Sequence, residues 1–60
     1  KTLYEKTLAN LPEKQREVFL MSRLEELTYK EIAERLEIGV KAVEKRMSLA
    51  LGVLKKAIKV

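Results

Sequence analysis

The sequence contains no cysteine and no histidine. The first absence removes disulfide staples and thiolate metal ligands. The second removes the commonest general base and a common zinc ligand. Aspartate and tryptophan are missing too. Glu, Lys, Ser, Thr and Tyr remain, but they form no constellation suited to acid–base work, which needs a positioned pair with shifted pKa values. The expectation is a chain that is not an enzyme and carries no metal or cofactor. No apolar run approaches the roughly 20 residues of a membrane span, and no signal-peptide pattern is visible. Three aromatics (Tyr4, Phe19 and Tyr29) are too few and too scattered for a platform that stacks single-stranded bases. A cysteine-free chain suits a reducing cytoplasm.

At 60 residues the chain is expected to be one domain over positions 1–60. A domain this short buries only about 60% of the surface its unfolded chain would expose. Its core is then a thin layer between helices, with little room for a deep pocket. The first residue is Lys1 rather than Met, which suggests a piece of a longer protein. The net charge is +4 and it is unevenly spread. Residues 1–37 hold seven Lys/Arg against eight Glu, whereas residues 38–60 hold six Lys/Arg against Glu44 alone. Such a cationic last third fits a segment that meets a polyanion. It equally fits a solvated Lys-rich helix end favoured by the helix dipole.

Leu, Glu, Lys, Ala and Arg dominate, and apolar residues recur at steps of three and four, so the spacing predicts helices throughout. The first covers 2–9, with Leu3, Tyr4, Thr7 and Leu8 on or near one face. Asn10 and Leu11 end it, because Leu11 precedes proline and avoids helical angles. The second starts at Pro12, whose missing N–H is harmless at a first helical position, and runs to about residue 25. Val18, Leu20, Met21 and Leu24 are its expected core residues, with Phe19 close by. The break near Glu26 and Leu27 has no clear compositional mark. Thr28 followed by Glu31 is a capping box that opens a third helix over 29–36, with Ile32, Ala33 and Leu36 facing inward. Glu37, Ile38 and Gly39 form a short turn. A fourth helix follows, capped by Gly39, with Val43, Met47, Ala50, Leu51, Leu54 and Ile58 as one apolar stripe. Gly52 within it marks either close packing or a point of fraying.

The third and fourth helices, about three residues apart, have helix-turn-helix spacing. Small Ala33 permits a close crossing, Ile32 and Leu36 face the core, Ile38 plugs the turn, and Val43 anchors the second helix on the first. One helix of such a pair lies in the major groove while its partner crosses the backbone. An ordinary helical hairpin has the same apolar spacing. If the motif is one that binds DNA, Lys41, Ala42, Glu44, Lys45, Arg46, Ser48 and Leu49 lie off the apolar stripe and face the duplex. Lys45 and Arg46 can meet phosphates or guanine edges, and Glu44 can accept from a cytosine amino group. Lys41 stands in the first turn, where helix N–H groups also attract phosphate. Lys30 and Arg35 on the third helix can touch the backbone.

Three stretches carry a family resemblance: LPEKQREVF at 11–19, TYKEIAERL at 28–36 and VKAVEKR at 40–46, with Ala50 four residues beyond. Together they resemble region 4 of the sigma-70 family, specifically the extracytoplasmic-function group, over residues 3–55. The resemblance implies an all-α, four-helix helix-turn-helix domain without a wing. It implies recognition of the minus-35 element of double-stranded promoter DNA in a bacterial cytoplasm, docking on the beta flap of core RNA polymerase, and in many members an anti-sigma factor. Carried over by position, the DNA-reading residues are Lys41, Ala42, Glu44, Lys45, Arg46, Ser48 and Leu49. The family usually has Gly where Glu37 stands, Ser at Gly39, Thr at Ala42, and Lys or Arg near Leu49. These departures bear on affinity and base choice rather than on fold.

Two other readings use the same residues. Helix-turn-helix regulators of the quorum-sensing and response-regulator type share the REV and KEIA elements, but they bind paired half-sites as dimers. They also more often have threonine at the Pro12 position. An interaction module without DNA binding would instead use the off-stripe apolar residues Leu8, Leu49 and Val53. A basic amphipathic helix over 40–59 could lie on a membrane surface only by giving up the stripe that the core needs.

Overall fold

A computed structural model describes residues 2–58 of the chain. Lys1 and Lys59, both counted in the charge balance, lie outside the described residues, as does Val60. Four helices follow one another: α1 Leu3–Asn10, α2 Glu13–Arg23, α3 Tyr29–Leu36 and α4 Val40–Ala57. No strand, and hence no wing, occurs among the described residues. The chain is all-α, with the helix-turn-helix formed by α3 and α4.

Local chemistry sets the boundaries. The Thr28 side chain accepts from the Glu31 N–H at 3.1 Å, and the Glu31 carboxylate accepts from the Thr28 N–H at 2.8 Å. This reciprocal box satisfies two donors that the first turn would otherwise leave orphaned. A second box, Thr2 with Glu5, opens α1 at 3.1 and 2.9 Å. It has the same T-x-x-E spacing, and it makes Thr2 the cap of α1 rather than its first helical residue. Leu11, ahead of the single proline, takes extended angles (φ −67°, ψ 146°) and ends α1 as expected. Pro12 is the N-cap of α2 rather than its first helical residue. The Arg16 guanidinium then donates back to the Ala9 and Leu11 carbonyls at 3.0 and 3.3 Å, fastening the α1–α2 corner.

The α2–α3 connection corrects one expectation. Leu24, expected in the core, is 75% exposed. Apolar residues occur all round α2, and at 100° per residue Leu20 and Leu24 fall on the side away from Val18, Phe19 and Met21. Leu20 is still half-buried, but Leu24 is the C-cap, where the helix is already ending. Glu26 then adopts a left-handed conformation (φ 53°) and turns the chain toward α3.

The α3–α4 turn is a Schellman closure. The Ile38 N–H donates to the Ala33 carbonyl at 3.0 Å, and the Glu37 N–H donates to the Glu34 carbonyl at 3.3 Å. Glu37 holds the left-handed position (φ 58°, ψ 46°), a place glycine fills without steric cost.

Val18, Phe19 and Met21 of α2, Ile32 and Ala33 of α3, and Val43, Met47, Ala50 and Leu54 of α4 are buried together with Leu11. Leu36, Ile38, Leu51 and Ile58 pack half-buried against this cluster. Helix α4 touches each of the other three helices. Its 18 residues span about 27 Å at 1.5 Å per residue, most of the molecule's 31 Å length. It runs unbroken through Gly52, where an added Cβ would meet nothing within 4 Å. Gly52 is therefore neither a close-packing point nor a point of fraying. Loss of a buried aromatic such as Phe19 costs about 3–5 kcal/mol. A domain of this size has roughly 3–9 kcal/mol in total, so Phe19→Ala alone would remove about a third of the fold's stability or more.

Candidate nucleic-acid interface

The burial of one side of α4 determines what its other side presents. Val43, Met47, Ala50 and Leu54 are inside. Lys41 and Lys45 occupy the crest opposite, four residues and about 6 Å apart. Lys41, Glu44, Lys45, Ser48 and Leu49 are exposed, and Ala42 and Arg46 are half-buried on one flank. All seven α4 residues expected to face DNA thus lie off the buried side, and all come from the first three turns of one rigid helix. Val43 and Met47, buried beneath them, hold that helix in place.

The charge on this surface is uncommitted. Among the described residues, Lys41, Lys45 and Arg46 form no ion pair, and one such pair, Arg35 with Glu25, lies at 3.3 Å. The start of α4 differs electrostatically from the other helix starts. Each of α1, α2 and α3 has an acidic residue in its first turn (Glu5, Glu13 and Glu31), whereas α4 has none. Gly39 supplies no capping side chain, so the N–H groups at the start of α4 face outward beside Lys41. A helix N-terminus with these properties favours an anion.

The two α3 candidates fare differently. Lys30 is exposed in the first turn of α3. Arg35 is also exposed, but its guanidinium reaches back to the Glu25 carboxylate. An open ion pair of this sort contributes about 0–1 kcal/mol and is readily exchanged for a phosphate. Glu31 keeps its carboxyl below the ordinary glutamate range, first through the Thr28 backbone N–H, then through the Thr28 hydroxyl and the Arg35 charge. The cap that starts α3 is thus anionic and formed at neutral pH.

Four residues beside this face carry no mark in the sequence that would place them there. Pro12, Glu13, Lys14 and Gln15, at the start of α2, line an open groove of about 610 Å³ with Ala42, Lys45, Arg46 and Leu49. Lys14 adds a cation to the surface. Gln15 is half-buried, and its Oε1 has no hydrogen-bond partner among the described residues. Pro12 marks the helix start, but nothing local in the sequence sets that start beside residues thirty positions later. The off-stripe apolar residues do not form one face: Leu49 and Val53 are exposed, whereas Leu8 packs against the core.

The opposite side of the molecule has a second open groove, lined by Tyr4, Phe19, Arg23, Leu51, Leu54, Lys55 and Ile58. Its floor is aromatic. The Tyr4 and Phe19 rings lie 6.4 Å apart in a tilted arrangement, and Arg23 stands 5.5 Å from the Phe19 ring centre. Among the described residues, no group of acidic side chains could hold a metal ion, and no helix is long and apolar enough to cross a membrane.

The family described as Sigma-70, region 4 matches the chain over residues 1–54. No curated protein and no solved structure matches it.

Proposed function

Because the chain belongs to the sigma-70, region 4 family, whose members are DNA-binding domains of sigma factors rather than enzymes, we propose that it reads the minus-35 element of a promoter. In this reading it is the C-terminal domain of a longer, extracytoplasmic-function sigma factor working in a bacterial cytoplasm. Lys41, Lys45 and Arg46 meet phosphates and guanine edges, Glu44 accepts from a cytosine amino group, and Ser48 sits further along the same surface. Lys30 and Arg35 approach the backbone from α3. Partners on the protein side are the beta flap of core RNA polymerase and an anti-sigma factor. The LPEKQREVF and TYKEIAERL stretches support the extracytoplasmic-function assignment.

The observation that carries the proposal is the face of α4. Three cations without an ion-pair partner among the described residues, and an open helix start, lie on a rod whose rear is fixed in the core by Val43 and Met47. A rod of that width fits the major groove of B-DNA. Selection of bound duplexes from a random pool, with and without core polymerase, tests it. A single short element enriched with polymerase is the expected result. An inverted repeat enriched without polymerase would assign the chain's activity to paired half-sites instead. Absence of any enrichment would refute sequence-specific DNA binding.

A further inference from the structure

The outer surface of α4 has two unlike edges. Beyond the Lys41–Lys45 crest, one edge is polar and carries Glu44 and Ser48. The other carries Ala42, Arg46, Leu49 and Val53, at steps of four, three and four residues, so on this edge Arg46 is flanked by apolar groups. Leu49 is 47% exposed and Val53 is also open. The Ala42 and Leu49 side chains line the groove beside Lys45 and Arg46. Both are among the α4 residues proposed to face the duplex, Leu49 exposed and Ala42 half-buried beside the start of α2.

We propose that Ala42 and Leu49 are specificity-determining residues that read 5-methyl groups of pyrimidines, thymine in unmodified DNA. This rests on the proposed DNA-binding role of α4. Neither side chain can donate or accept a hydrogen bond, so neither can read a polar base edge. The thymine C5-methyl is the one apolar group that unmodified base pairs display in the major groove. Apolar atoms left opposite polar edges would strip water from those edges and return nothing. Opposite a methyl they remove apolar surface from water on both sides. Ala42 and Leu49 are seven residues apart, about 10.5 Å along the helix. Projected on the duplex axis, that distance covers at most about three base-pair steps of about 3.4 Å, and fewer where the helix follows the slant of the groove. The two edges of α4 thus read different chemistry: hydrogen-bonding groups at Glu44 and Ser48, methyl groups at Ala42 and Leu49.

The test starts from a duplex enriched by the selection above. Each thymine is replaced singly by deoxyuridine, which removes the methyl and nothing else. Affinity is expected to fall about fourfold for each methyl that is read, the worth of one buried methyl group, at two positions no more than about three base pairs apart. Leu49→Ser is expected to abolish the thymine–deoxyuridine difference at one of them, and Ala42→Ser at the other. Cytosine and 5-methylcytosine compared at those positions should differ by the same factor. Enriched duplexes bound equally well with thymine and deoxyuridine throughout would overturn the methyl reading while leaving DNA binding intact. A loss that persists in both Ser variants would overturn the assignment to Ala42 and Leu49. Failure to enrich any duplex would remove the DNA-binding premise itself.

Discussion

Replacing Glu37 by glycine is expected to stabilise the domain. Glu37 holds φ 58° and ψ 46° in the turn between α3 and α4, and its side chain is exposed. An L-residue held in the left-handed region costs roughly 1–2 kcal/mol. Its carboxylate also stands at the negative end of the α3 dipole, which adds about 0.3–1 kcal/mol at an exposed site. Glycine removes both costs and brings one of its own, about 0.5–1 kcal/mol of extra chain entropy in the unfolded state. The balance is a gain of about 1 kcal/mol. For a domain of this size that raises Tm by roughly 4–8 °C. Thermal and urea unfolding followed by far-ultraviolet circular dichroism would read it, with a higher urea midpoint and an unchanged slope. Glu37→Ala separates the two causes: it removes the carboxylate but keeps a Cβ at positive φ, so it should gain only the smaller electrostatic part. A Glu37→Gly variant no more stable than its parent would refute the strain argument. An equal gain from Glu37→Ala would transfer the whole effect to charge.

Gly52→Ala should stabilise the domain by about 1 kcal/mol, because the new methyl enters open space; an unchanged melting temperature would mean that α4 is not helical there in solution. Thr28→Ala should cost about 1 kcal/mol by removing the α3 cap, and a neutral result would remove the box as a source of stability. The pKa of Glu31 is lowered in the folded chain, chiefly by the Thr28 N–H. Its contribution is therefore complete above the unfolded glutamate pKa and disappears as pH falls through the lower folded value. Glu31→Gln should flatten that part of the acid-unfolding curve, and an acid limb identical to the parent's would contradict the hydrogen-bonded carboxylate.

Much of the fold is legible in periodicity and caps. Thr28 and Glu31 set the start of α3 to the residue, and Leu11 before Pro12 sets the end of α1. The buried part of the α4 stripe (Val43, Met47, Ala50 and Leu54) is equally plain, because a 3.6-residue period leaves one solution on a long amphipathic helix. α2 is harder. Five apolar residues lie within 18–24 on more than one side of the helix, so the period does not show that Leu24 faces water. The left-handed Glu26 is invisible because turn chemistry usually announces itself through Gly or Asn, and here it does not. The candidate interface is legible where it lies on a single helix. The role of the α2 start is not, because Lys14 and Gln15 reach α4 only through tertiary packing. The Arg35–Glu25 pair is hidden for the same reason, since it spans an irregular connection.

The most direct test of α4 as the groove-facing helix is the salt dependence of affinity for an enriched duplex, measured for the parent and for Lys45→Ala. The slope of log affinity against log salt should become shallower by about 0.9, because one fewer phosphate is neutralised. Lys6→Ala, which removes the same charge from α1, should leave the slope where it was. An unaltered slope for Lys45→Ala, or an equal change from Lys6→Ala, would contradict the placement of α4 in the groove.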